Sequence, residues 1–423
     1  MSRRMRLCVV NSHPIQYFAP LYAYLAQHDD VDLTVLYLSD SSIRGAKDSG
    51  FGQAVKWDVD LLSGYTHEFI GRKARAITPG GFWSIGGPSL WRRIYRGRFD
   101  AVLVHGHAYA ADHIAISAAK ASGAAVFTRG ETHLDLTRRG AKAVARNAAL
   151  KGLYRFCDAF LAIGSANRDF YRAMGAPDER IFLVPYTVDN ARFVARSSLS
   201  GDERRAIRSE LGVADDTTIV LYLSKLQRRK HPDAVLRAAQ RLEREGVALA
   251  LVLGGTGEME SELRAAAAQG GPRQVEFTGF LNQSRMPKVL GAADVFVLPS
   301  EEEPWGLIVN EAMCAGLPVI VGEKLGCVRD LVRPGVNGFT VPAGDADAIA
   351  QALRPLLTDP EKRAAMGRMS REIIGRWSYE ECRQGILAAL KYVNAKRMAP
   401  RSGPQPASPR QHSGEIRYDA DQN

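Results

Sequence analysis

Residues 298–320 read LPSEEEPWGLIVNEAMCAGLPVI. An apolar run closes at Leu298, an acidic loop follows, and a helix opens at 305–306 and ends at 315–316. Pro318 then leads into another apolar run. Strand, helix, strand is one βαβ unit, and repetition of that unit builds a parallel sheet. The unit does recur. Upstream, strands are expected at 7–11, 33–37, 101–104, 124–128, 159–163 and 181–184, with helices between them. One helix is expected at 111–121; another starts at Ser165, a natural N-cap, and stops at Gly175, a natural C-cap. Residues 185–201 have turn residues and no clear period, which reads as a linker. The alternation then restarts, with strands at 218–223, 249–253, 275–278, 295–298 and 318–321. Helices are expected near 233–244, 258–268, 306–315, 346–357, 360–374 and 379–395. The fold class is therefore α/β, two doubly wound parallel-sheet domains facing a cleft. Ligands in such sheets sit at the carboxyl ends of the strands, so chemistry is sought in the loops that follow them.

The chain has 423 residues, 46% apolar and 24% charged, enough for two or three soluble domains. The net charge of +10 is lopsided: residues 1–195 hold 25 basic against 17 acidic side chains, the remainder 31 against 29. The front half should face something anionic. No apolar run approaches the length of a spanning helix. After the basic start Met1–Arg6 only four apolar residues precede Asn11, too few for a secretory leader. The five cysteines (8, 157, 314, 327 and 382) are scattered without metal-ligand spacing, as expected of reduced thiols in a cytoplasmic protein.

The acidic loop and its helix suit a sugar diphosphate. Free N–H groups of Gly306, Leu307 and Ile308 and the helix dipole favour phosphate oxygens. Glu303 beside them can accept hydrogen bonds from sugar hydroxyls, and Glu311, deeper in the helix, from a ribose diol. Either glutamate alone reads more readily as a cap or a solvated side chain; the whole arrangement does not. The spacing Glu303-x7-Glu311, with Pro-Trp-Gly inside it, resembles family 4 of the retaining glycosyltransferases. That resemblance implies the GT-B fold, with domains at 1–185 (acceptor) and 201–374 (nucleotide sugar) and a linker at 186–200. It also implies a helix at 375–397 returning to the first domain. Trp305 stands where the family more often has Phe. The tail, 398–423, is rich in Pro, Ser, Gln and Arg and is expected to be disordered.

The loop 223–232, LSKLQRRKHP, looks like the family's phosphate-gripping loop, with Lys225 in the usual Arg place and Lys230 matching the family's Lys. Arg grips in a fork and Lys as a point charge, so the hold at 225 is looser. Glu303, Lys230 and Lys225 are thus the expected catalytic residues. The glycines of 253–258, Gly254 and Gly257 among them, follow a strand, and by resemblance Phe280 and Leu281 line the base pocket. Asp345-Ala-Asp347 reads as a helix N-cap rather than a metal motif. No metal and no cofactor are expected; the donor is a nucleoside-diphosphate sugar.

The front domain is less explicit. The family's Gly-rich first loop is missing; HPIQY at 13–17 and WDVDLLSGY at 57–65 instead resemble a subgroup of bacterial polysaccharide-assembly enzymes. His13, His107, Arg129, Glu131 and His133 are the candidates for sugar or acceptor contact, and the sequence does not choose among them. The basic stretch 137–156, with Ala143, Val144, Leu150, Leu153 and Tyr154 as an apolar side, reads either as a core-packed helix or as a surface for anionic lipid. The run WRRIYRGR at 91–98 adds charge. A cytoplasmic enzyme peripheral to the inner membrane face, acting on a glycan or lipid-linked acceptor, fits this pattern. A nucleic-acid partner does not, because no recognition module is present. The rival readings are a sugar-nucleotide epimerase, a glycogen-type synthase, and a silent binding module on the same fold.

Overall fold

The computed structural model describes residues 3–45, 47–48, 53–54, 56–71, 80–137, 140–269 and 274–398. Among the described residues nine strands precede residue 185: β1 (Met5–Asn11), β2 (Val31–Tyr37), β3 (Lys47–Asp48), β4 (Gln53–Ala54), β5 (Thr66–Phe69), β6 (Ala101–His105), β7 (Ala125–Arg129), β8 (Ala159–Ala162) and β9 (Ile181–Leu183). Apart from the small antiparallel ribbon β3–β4, they form one parallel seven-stranded sheet in the order β5-β2-β1-β6-β7-β8-β9. Helices cover both faces. Leu7, Val9, Val35, Leu103 and Leu161 pack on one side, and Cys8, Val10, Leu36, Val102 and Val104 on the other. Burial on both faces explains why these strands read as continuous apolar runs.

The second sheet holds β10 (Ile219–Leu223), β11 (Ala250–Gly254), β12 (Val275–Gly279), β13 (Val295–Leu298), β14 (Val319–Gly322) and β15 (Gly338–Val341), all parallel, in the order β12-β11-β10-β13-β14-β15. The strand order reverses between β10 and β13, so the loops leaving their carboxyl ends diverge around a crevice. The 3₁₀ turn Arg228–Lys230 stands on one of those loops and Glu303 on the other.

Several elements depart from the sequence reading. The stretch taken as a linker contains the helix Asn190–Ser197, capped by the Asp189 carboxylate, and leads directly into the helix Gly201–Glu210. A capping box between Ser200 and Glu203 starts the latter. The first is only eight residues long and the second has only Ala206 and Ile207 as apolar residues, so neither sustains a period. Strands β5 and β15 were not expected; one is half-exposed at the sheet edge and the other begins with glycine. Ser165 is not an N-cap but the first helical residue, after Gly164. Its N–H and hydroxyl both donate to the carboxylate of Asp330, at 2.8 and 2.5 Å, so the cap comes from the other half of the chain. Asp345 does cap its helix, accepting from the N–H groups of Asp347 and Ala348.

Within the basic stretch, the helix Ala141–Tyr154 buries Ala143, Leu150 and Tyr154 and half-buries Leu153, while Val144 is exposed. Residues 138–139 lie outside the described residues, as does the tail beyond Met398. The last helix, Tyr379–Met398, packs on β8 and β9 of the front sheet. Among the described residues no helix is long and apolar enough to cross a membrane, and all five cysteines are buried free thiols.

Candidate active site

Two strand-end loops of the second sheet are locked together by backbone. The N–H of Glu301 donates to the carbonyl of Arg229 at 2.8 Å, joining the loop after β13 to the loop after β10. A Cβ on Gly255 (φ +120°) would sit 1.9 Å from the carbonyl oxygen of Ser224, so only glycine lets the β11 loop press against the β10 loop. His231, left-handed at φ 50°, ends the turn Arg228–Lys230 and begins the helix Pro232–Arg244. This turn leaves Lys230 buried and directed at Glu303.

Lys230 and Glu303 form an ion pair between their ammonium and carboxylate groups, with side chains only 8% and 12% exposed. Burial, with Arg229 and Lys225 adding like charge, pushes the Lys230 ammonium down to about 7; the Glu303 carboxylate works in the opposite sense. Gly306 (φ +97°) is the N-cap of the helix Leu307–Cys314, and Gly306, Leu307 and Ile308 at that helix tip line the same cavity. The cavity has a volume of about 370 Å³, within the range of small-molecule sites. Its walls include Lys225, Arg229, Lys230, Gly254, Phe280, Leu281, Glu303, Gly306, Leu307, Ile308 and Glu311. Cations, amide donors and carboxylates gathered in one cavity can hold an anion with a polyhydroxylated group attached.

Glu311 is fully buried; Gln283 and Tyr17 offer donors to its carboxylate, but neither reaches full hydrogen-bond geometry with either oxygen. Burial raises its pKa to about 8, against Arg192, Gln283 and Tyr17, which pull it down. A buried acceptor pair of this kind is costly unless a donor reaches it. Two vicinal hydroxyls are donors of the right kind.

From the front half, Glu131 lines the cavity and accepts a hydrogen bond from Tyr186 at 2.6 Å. His133 is 1% exposed, with its Nε2 2.9 Å from the carbonyl oxygen of Glu303; burial lowers its pKa. Neither His133 nor the other three front candidates line the cavity. The Arg129 guanidinium is buried over the rings of Phe18 and Tyr186 and donates to the carbonyl of Pro185. His13 is 2.9 Å from the Ser12 hydroxyl, and His107 meets His113 through its own carbonyl. Gly257 is likewise off the cavity: a Cβ there would lie 2.4 Å from the carbonyl of Leu226, so its role is close packing of two loops.

Tyr17, Trp57, Tyr186, Gln283 and Met286 also line the cavity, and none was assigned to the site from the sequence. Tyr17 and Trp57 stand inside the two front-domain stretches noted for their resemblance, which was the available signal. Tyr186 and Gln283 reach the cavity only through tertiary packing. Among the described residues no cluster of His, Cys, Asp and Glu suits a metal ion.

Residues 21–192 match the model for Glycosyltransferase Family 4, and residues 203–373 match that for Glycosyl transferases group 1. A D-inositol 3-phosphate glycosyltransferase of Xylanimonas cellulosilytica is 32% identical over 55% of this chain and 56% of that protein. A GDP-mannose-dependent monoacylated alpha-(1-6)-phosphatidylinositol monomannoside mannosyltransferase of Corynebacterium glutamicum is 32% identical over 47% of this chain and 52% of that one. The chain spans about half the length of the curated relatives it matches. Anabaena HepE in complex with UDP and glucose superposes with a TM-score of 0.69 at 18% identity, over 92% of this chain and 100% of that chain. Sucrose-phosphate synthase from Thermosynechococcus elongatus gives 0.62 at 18% identity, over 93% and 98%.

Proposed function

From a chain built of a family-4 and a group-1 glycosyltransferase domain in the GT-B fold, we propose a retaining, metal-independent glycosyltransferase. It moves a sugar from a nucleoside-diphosphate sugar to a hydroxyl of a glycan or lipid-linked acceptor, in the building of a cell-surface polysaccharide or glycolipid. One observation carries the reading: the buried Lys230–Glu303 pair shares a cavity with the helix tip at Gly306–Ile308.

The chemistry follows from that placement. As the bond from the anomeric carbon to the diphosphate breaks, negative charge grows on the leaving phosphate and positive charge on the sugar. Lys230, Lys225, Arg229 and the amides of 306–308 meet the first; such fixed donors and charges are worth most in a water-excluded site. Because the protein itself supplies this positive charge, the reaction asks for no metal. Glu303, partnered with Lys230, is freed to face the sugar as the diphosphate draws the ammonium. The acceptor hydroxyl attacks from the face the diphosphate leaves, and its proton passes to a phosphate oxygen. No carboxylate pair acting as in retaining hydrolases is required.

The acceptors named for the matched relatives, an inositol phosphate and a phosphatidylinositol mannoside, support an anionic acceptor for the basic front half. A thermal-shift screen of UDP-, GDP- and ADP-sugars tests the reading. Stabilisation by one set, followed by transfer with retained anomeric configuration, is the expected result. Epimerised donor as the product supports the epimerase instead, and failure of every nucleotide sugar to bind contradicts the reading.

A further inference from the structure

We infer that Trp57, from the front half of the chain, is a nucleobase-binding residue of the donor site, held across the cleft by Asp58. The inference rests on the nucleotide-sugar reading above and deepens it. Residues 56–58 do not pack on their own sheet's core: Trp57 is half-buried and belongs to neither apolar cluster. They reach instead to the loop after β12. The Ser284 N–H donates to both oxygens of Asp58, at 3.1 and 3.2 Å, and its hydroxyl donates as well. The Asn282 side-chain amide donates to the carbonyl of Lys56 at 2.8 Å, and its oxygen accepts from the N–H of Asp58 at 3.4 Å. This double clasp sets the Trp57 ring 6.2 Å from that of Phe280, tilted by 52°. The two rings make an aromatic corner on the wall of the same cavity as Glu303 and the helix tip.

The sheet order places the corner. The loop after β12 is three strand positions from the loop after β13, or ~14 Å at ~4.8 Å per strand. With the diphosphate at the helix tip and a ribose at Glu311, the base comes to the β12 side. An aromatic face there binds any base by stacking and contributes nothing to the phosphates.

Calorimetric titration of the full chain and of Trp57→Ala and Trp57→Phe with UDP, GDP, ADP and inorganic pyrophosphate tests this. Trp57→Ala is expected to weaken the favoured nucleotide by roughly 5- to 100-fold and leave pyrophosphate unchanged, with Trp57→Phe in between. Nucleotide-induced change in tryptophan emission, lost in Trp57→Phe, reads the same contact without an opened cavity. Unaltered nucleotide affinity in Trp57→Ala, or an equal loss for pyrophosphate, overturns the inference while the donor reading stands. Failure of the unmodified chain to bind any of the three nucleotides overturns both.

Discussion

The His133 ring, on the loop after β7, lies 2.9 Å from the backbone carbonyl oxygen of Glu303, on the loop after β13. The N–H of Gly326 donates to that same carbonyl at 3.1 Å. A front-half histidine therefore helps to fix the backbone of the acidic residue proposed to face the donor.

His133→Ala removes this cross-cleft bond but leaves the carbonyl its second partner, so the stability cost should be about 1 kcal/mol. The larger effect falls on turnover, through a less fixed Glu303, and His133→Gln should recover part of it. Burial lowers the His133 pKa, so the ring gives up its proton more readily than a free imidazole. A break in the rate profile near pH 6.5 that vanishes in His133→Gln would contradict a positioning role.

Glu311 makes a pH prediction. Its folded pKa is raised from 4.5 to about 8, so the folded protein holds a proton that the unfolded chain releases. Its contribution to stability is full below pH 4.5 and is lost as pH rises towards 8. At about 1.4 kcal/mol per unit, Glu311→Gln should gain a few kcal/mol on the native chain across that window. Melting curves of the two at several pH values measure it; parallel curves would count against the burial argument.

Trp305 occupies a position where the resembling family more often has Phe, and the structure supplies a use for the indole. Its Nε1–H donates to Asn310 at 2.9 Å, Asn310 in turn donates to the carbonyl of Tyr186 at 2.9 Å, and the ring stacks on Trp377. Trp305→Phe leaves the buried Asn310 oxygen without a donor, at a cost of about 1–3 kcal/mol. Thermal unfolding reads the loss, and an unchanged midpoint would show that the bond contributes nothing.

The parts of the site that were legible lie within single strand-end loops or the helix that follows directly. Glu303 and Glu311, and Lys225 and Lys230, announce themselves because each pair is fixed by a few residues of local spacing after an apolar run. Trp57 and Tyr186 were not legible as site residues, since clasps and packing distant in sequence bring them to the cavity. For the same reason four of the five front-half candidates missed it: a strand-end position puts a side chain near the cleft without choosing its direction. Ser165 misled because its apparent capping role is met by Asp330, 165 residues away. The helix at 201–210 does carry a readable signal, Ser200 followed three residues on by Glu203, although its apolar period is weak.

The most direct measurement is donor turnover by Glu303→Gln and Lys230→Met, each with a melting curve, using whichever nucleotide sugar stabilises the native chain. Loss of transfer by 100-fold or more (~3 kcal/mol) in both, with cooperative unfolding retained, is the predicted result. Near-native turnover in both folded variants would contradict the central claim that this buried pair, at the tip of the helix beginning at Leu307, handles the sugar diphosphate.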